Sequence, residues 1–282
     1  MKKRILVLGI GIMFLLAPVL SAAVKKNPDS NTLWIEDWES LEFEQQEVGS
    51  GWGQKYANFE LKDGGKVLLT SKEAGKPIIT GRYVDFSREY PYLQIKVAEI
   101  ERIPNYQGMA LSAGGMLLEI GGGYFPGIYT FEIINQPELS GRNEGMTYLR
   151  FDLYGGKFLI DWIKMVRKPV DAVIVTKSPE KEGSLKKGDK VVLEVSLAEK
   201  AADVTVDLLT AYLLKPATLD GQPYIQLKKA DGEGKVWKAE ITAGEKSDLK
   251  KLKAGGLLFR ANVLGGKIKQ TFTANLWNIE LE

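Results

Sequence analysis

The stretch KFLIDWIKMVRKPVDAV, residues 157–173, governs the reading of this chain. With the two-residue period of a strand, Phe158, Ile160 and Trp162 share one face, and Leu159, Ile163 and Met165 share the other. Both faces are apolar, the pattern of a strand buried on its two sides. Asp161 interrupts it, and a carboxylate in such a place needs a partner: an arginine, a backbone N–H or a metal ion. Arg167, Lys168 and Pro169 then end the apolar run. A proline cannot donate to a sheet ladder, so the strand stops and a boundary follows.

Working outward from that boundary, alternating segments recur on both sides: LQIKVAEI (93–100), GIYTFEII (127–134), TYLRFDLY (147–154), KVVLEVSLA (190–198), KVWKAEIT (235–242) and LLFRANVL (257–264). Glycine pairs punctuate them at 64–65, 114–115, 155–156, 255–256 and 265–266, with a triplet at 121–123. Gly-Gly between alternating runs signals hairpins. Only SDLKKLKAGG (247–256) reads as a short helix. The chain is therefore all-β. After Pro169 a fresh series of about seven strands matches the number in an immunoglobulin-like sandwich, here without a disulfide. Residues 30–168 form a larger sandwich, and 170–282 the immunoglobulin-like one.

The first residues, MKKRILVLGIGIMFLLAPVLSAAV, carry basic residues, an apolar run and small residues ending at Ala22-Ala23. This is the pattern of a secretory signal peptide over residues 1–23, and the expectation is a secreted protein with no membrane span after processing. The remainder, roughly 260 residues, suits one large or two ordinary domains. With no cysteine the chain has no disulfides for an oxidising compartment.

Lys+Arg 38 against Asp+Glu 36 gives a net charge of +2, with no sign of the basic stripe of a nucleic-acid binder. The absence of both histidine and cysteine removes Ser-His-Asp and Cys-His nucleophiles and the usual zinc sites. A pair of carboxylates for glycan cleavage survives in principle among Glu119, Glu132, Glu138 and Asp152, but no flanking motif singles out two of them. A non-catalytic protein is the expectation.

The order KVLL (66–69), YVDFSREYPYL (83–93), GIYTFEI (127–133), YLRFDLY (148–154) and IDWI (160–163) resembles the galactose-binding-like jelly roll of carbohydrate-binding modules. The resemblance covers about half the chain and is one of rhythm, so it bears on fold more than on ligand. It implies a glycan ligand, on a polysaccharide or glycoconjugate. It also implies a structural Ca2+ where an acidic residue of the last strand meets the first segment. Asp161 with Glu36, Asp37, Glu42 and Glu44 of WIEDWESLEFE would supply the oxygens.

Sugars stack their C–H faces on aromatic rings while polar groups meet the hydroxyls. Trp52, Tyr106, Tyr124 and Phe125 lie in glycine-rich or loop-like stretches and are candidates, as are two strand faces. On TYLRFDLY, Tyr148, Arg150 and Asp152 oppose Leu149, Phe151 and Leu153; on YLQIKV, Tyr92 and Gln94 with Lys96 oppose Leu93, Ile95 and Val97. Each has a plain structural alternative, a ring that plugs a sandwich end or a face that is merely solvated. An envelope subunit that contacts other envelope proteins, not sugar, is the competing function.

Overall fold

The computed structural model describes residues 25–38, 43–44, 52–53, 58–70, 78–101, 109–113, 116–119, 126–133, 145–153, 156–178, 188–210, 216–217, 224–242 and 257–275. Among them the secondary structure is all strand and turn; residues 247–256 lie outside this set.

The chain begins with β1 (Lys25–Asp29), β2 (Thr32–Glu36), β3 (Phe43–Glu44), β4 (Trp52–Gly53), β5 (Asn58–Lys62), β6 (Lys66–Thr70) and β7 (Ile78–Phe86). It continues through β8 (Tyr92–Glu101), β9 (Met109–Ala113), β10 (Met116–Glu119), β11 (Gly127–Glu132), β12 (Gly145–Leu153) and β13 (Lys157–Val166). Beyond the boundary come β14 (Ala172–Ser178), β15 (Lys190–Ser196), β16 (Asp203–Thr210), β17 (Pro216–Ala217) and β18 (Ile225–Gln226). The last are β19 (Lys228–Lys229), β20 (Val236–Thr242), β21 (Leu257–Leu264) and β22 (Gln270–Asn275).

Two sandwiches share one large sheet, ordered β1-β2-β13-β8-β11-β22-β21-β16-β17, to which β6 and β18 attach. A four-stranded sheet, β10-β9-β12-β7, packs on one face of its first half. Trp34, Leu93, Ile95, Tyr129, Phe131, Leu149, Phe151, Phe158 and Ile160 fill the core between them. A second four-stranded sheet, β14-β15-β20-β19, packs on the opposite face of the other half. Its core holds Val173, Leu193, Val195, Val204, Val206, Trp237, Phe259 and Ala261. The order β14-β15-β20-β19 over β22-β21-β16 is that of the A-B-E-D and G-F-C sheets of an immunoglobulin-like sandwich.

The two halves meet where β11 pairs in parallel with β22, Ile128 opposite Thr271 and Phe131 opposite Ala274. Across this seam successive residues serve different cores: Tyr129, Phe131 and Phe272 face the first, while the hydroxyls of Thr271 and Thr273 donate to the carbonyls of Asp171 and Val173 on the other side. Both faces of β11 and β22 are thus covered, and Ile128, Tyr129, Thr130, Phe131, Thr271 and Phe272 are all nearly solvent-free. Gly127 sits at the seam because a Cβ there would lie 2.8 Å from both the Gln270 carbonyl and the Phe272 ring.

The opening stretch differs from its strict two-residue reading. Against β8, Ile160 pairs with Val97 and Trp162 with Lys96, so Asp161 is the extra residue of a β-bulge. The bulge reverses the alternation: Phe158, Ile160, Ile163 and Met165 all face the first core, whereas Leu159, Trp162 and Lys164 lie half-buried on the reverse face. The bulge also marks where the other neighbour of β13 changes from β6, opposite Ile160, to β2, opposite Ile163. The strands buried on both sides are accordingly β11 and β22, not β13.

The glycine pairs play two roles. Gly64-Gly65 with positive φ and Gly265-Gly266 close hairpins; Gly114-Gly115 and Gly255-Gly256 lie outside the described residues. Gly156, by contrast, lies with positive φ just before β13, where the chain has passed from the four-stranded sheet to the shared one.

Candidate functional site

Outside the two cores, the described residues place aromatic and polar side chains together on two faces. The first is the outer face of β10-β9-β12-β7. On β12, Thr147, Leu149 and Phe151 are buried, which leaves Tyr148 and Arg150 half-buried on the outside, as alternation expects. On β7, Arg82, Val84 and Phe86 point inward, so Tyr83 and Asp85 join them outside. Tyr148 pairs directly with Tyr83 across the strands, and their rings stand 5.2 Å apart at 52°. Tyr83 is 39% exposed.

Polar groups flank this ring pair at both ends. Asp85, one step along β7, holds the ammonium of Lys26 from β1. Arg150, one step along β12 in the other direction, lies half-buried opposite Gly81. The face therefore offers two rings between an ion pair and a guanidinium. Asp152 continues the same register opposite Ile79, but its side chain lies outside the described set.

The second face is the reverse of the shared sheet, behind the first core. Three neighbouring strands present a grid there: Val166, Tyr92 and Glu132 in one row, Lys164, Gln94 and Thr130 in the next, Trp162, Lys96 and Ile128 in the third. Gln94 is fully buried and donates through Nε2 to Thr130 Oγ1 at 2.9 Å and to the Val170 carbonyl at 3.0 Å. It fastens the linker to the sheet. Beside it the bulged Asp161 meets Lys96 Nζ at 2.5 Å, and Lys164 Nζ stands 4.3 Å from the centroid of the Trp162 ring.

Burial and charge shift the titrations on this face. Burial, helped by the carboxylates of Glu132 and Glu194, pushes the Tyr92 hydroxyl up to about 12. Burial lowers the Lys164 ammonium from its ordinary value, against the opposing pull of Asp171 and Asp29. Asp171 is raised by burial although Ala198 N–H donates to it and Lys164 is near.

Of the residues proposed for calcium, the described carboxylates Glu36, Asp37 and Asp161 each meet a cation. Glu36 faces the first core and accepts from Arg82 at 2.8 Å, a pair with side-chain exposures of 7% and 5% that ties the two sheets of that sandwich together. Asp37 pairs with Lys25 at 2.6 Å, and Asp161 is held by Lys96. Each carboxylate thus already has a cation. Among the described residues no group of three or more potential metal ligands occurs. Glu42 lies outside the described residues, as does the side chain of Glu44.

Of the aromatic loop candidates, Tyr106, Tyr124 and Phe125 lie outside the described residues, and Trp52 is described only as backbone, in β4. Tyr83 and Asp85 were legible in RYVDF by the same alternation that sorts TYLRFDLY. Trp162 was hidden, because the bulge that turns it outward leaves no mark in the sequence.

No known protein family and no curated protein matches the chain. Solved structures give loose likenesses. A β-1,2-glucanase from Parabacteroides distasonis shares 11% identity over 79% of this chain and 34% of its own, with a TM-score of 0.25. β-Glucuronidase 2 of Bacteroides uniformis shares 11% over 72% and 26%, with a TM-score of 0.23. A β-glucuronidase from Ruminococcus gnavus shares 10% over 74% and 37%, with a TM-score of 0.21. The chain spans about a third of the length of these enzymes, and likenesses this loose place neither its fold nor its activity.

Proposed function

We propose that the chain is an exported, non-catalytic carbohydrate-binding protein that holds neutral polysaccharide or glycoconjugate on the outer face of β10-β9-β12-β7. The observation that carries this reading is the cross-strand pair of Tyr83 and Tyr148, one ring 39% exposed, on the outer face of the sheet. A sugar ring laid on the tyrosines gains aromatic burial. Its hydroxyls then reach Arg150 at one end and the Asp85 carboxylate at the other, and such flanking polar groups set orientation in shallow sites. A single exposed ring would need no explanation; a paired one with a polar group at each end fits this use. The reading assigns no reacting group to either face, and the chain acts by holding glycan outside the cell.

The test is a glycan array probed with the processed protein and with a Tyr83→Ala, Tyr148→Ala double variant. Retention on neutral glycans by the first and not by the second supports the proposal. Identical blank arrays point instead to an envelope subunit that contacts protein.

A further inference from the structure

The two sandwiches lie on opposite faces of the shared sheet, and this offset has a geometric consequence. Behind the first core, β13 and β8 present the half-buried side chains of Trp162, Lys164 and Lys96; further along, β14 and β15 of the second sandwich rise from the same face. Floor and wall meet at the linker. The Gln94 amide holds the Val170 carbonyl, Thr271 holds the Asp171 carbonyl, and the Asp171 carboxylate accepts from Ala198 N–H of the second sandwich. The result is a re-entrant corner built by both halves of the chain.

The floor of the corner carries Trp162, Lys96, Asp161 and Lys164, and its wall carries Asp171. The carboxylates of Asp161 and Asp171, with Glu132, Glu194 and Asp29 near the same face, outnumber the two ammonium groups, so the corner has no attraction for an anionic sugar. What it offers is donors and acceptors side by side: Lys96 Nζ and the Asp161 carboxylate are 2.5 Å apart, with side chains 34% and 19% exposed. Lys164 Nζ stands 4.3 Å from the half-buried Trp162 ring.

A half-buried indole with Lys164 Nζ over its ring and the Lys96–Asp161 pair beside it suits a neutral polyhydroxyl ring: a C–H face for the indole, and vicinal hydroxyls for an ammonium and a carboxylate together. The geometry points to this corner as a second saccharide subsite, taking an uncharged glycan against Trp162, Lys96 and Asp161 and walled by the second sandwich. It is separate from the tyrosine face, which lies on the other side of the first core. The bulge at Asp161 then has a purpose beyond register, since it turns Trp162 out of the core and sets a carboxylate beside it. The C-terminal sandwich gains one too, as the wall.

The experiment is calorimetric titration of the full processed chain with gluco-, xylo- and manno-hexaose at low and at high salt. The variants are Trp162→Ala, Trp162→Tyr, Asp161→Asn, and the Tyr83→Ala, Tyr148→Ala double. The corner is supported if the double variant keeps binding one hexaose, if Trp162→Ala weakens that binding by about tenfold or more, equivalent to about 1.4 kcal/mol, and if Trp162→Tyr restores part of it at unchanged Tm. An uncharged ligand also leaves the affinity insensitive to salt. Equal affinity of Trp162→Ala and the unaltered chain overturns the corner while leaving the tyrosine face standing. Binding lost in Trp162→Ala and kept in the tyrosine double variant removes the tyrosine face and leaves the corner. No binding of any hexaose by the unaltered chain overturns the corner.

Discussion

Phe272 stacks on Tyr129, ring centroids 4.5 Å apart and planes within 9°, although 142 residues of sequence separate them. The contact crosses the parallel seam of β11 and β22 and places a side chain of the last strand in the core of the first sandwich. Replacing a buried phenylalanine by alanine costs about 3–5 kcal/mol through lost burial and the cavity left behind. Phe272→Ala is therefore expected to loosen the first sandwich. Hydrogen exchange read along β8 and β11 checks this: faster exchange there agrees, and faster exchange confined to β21 and β22 does not.

Residues 30–168 and 170–282 are proposed to fold as two units that depend on each other along one strand edge. Each unit has its own core, but a chain cut in the linker uncovers the edge of β11 that β22 covers. Fragment 24–168 alone is expected to associate with itself through that edge, and addition of fragment 170–282 is expected to suppress the association. Sedimentation of each fragment and of the mixture reads the outcome. A strictly monomeric 24–168 with the stability of the full chain would contradict it.

Glu36 and Arg82 form a buried pair between the sheets of the first sandwich. Removing one member leaves the other charge buried, at a cost of about 3–5 kcal/mol, whereas replacing both with apolar residues of similar volume is often neutral. Arg82→Met is expected to fall in that range by urea unfolding, and the Glu36→Leu, Arg82→Met double variant to recover most of it. Equal losses in the single and double variants would show that the pair is not what Arg82 contributes.

Tyr92 supplies a test at high pH. Its hydroxyl is pushed up to about 12 in the folded chain by burial and by Glu132 and Glu194, from 10.0 unperturbed. The unfolded chain gives up the proton first, so the stability linked to Tyr92 is complete below pH 10 and is lost as pH rises from there towards 12. Tyr92→Phe is expected to flatten this part of the stability profile. An unchanged alkaline slope means that other groups set it.

How far the sequence could be read depended on whether a feature was local. Alternation sorted Leu149 and Phe151 inward from Tyr148 and Arg150 outward, and Leu93 and Ile95 from Tyr92 and Gln94, because those strands keep a strict two-residue period. It failed on β13, where one extra residue at Asp161 reverses the faces and moves Trp162 from an expected core position to the surface. The Asp161 carboxylate sits at the bulge and pairs with Lys96, a residue on the neighbouring strand whose register no local pattern encodes. The parallel union of β11 and β22 was out of reach for the same reason. Gln94, a candidate for ligand by its outward parity, proves to be buried under the linker, because the covering segment comes from more than seventy residues later in the chain.

Sugar binding by Tyr83 and Tyr148 is read from the dissociation constants of the unaltered chain and of Tyr148→Ala for the best-retained neutral glycan, with Tm recorded for both. Loss of one stacking ring removes on the order of 1–3 kcal/mol of aromatic burial, so a weakening of roughly five- to a hundredfold at unchanged Tm is expected. Equal affinity of the two proteins would contradict it, and so would a loss of binding that follows a fall in Tm, the mark of a ring that holds the sandwich together.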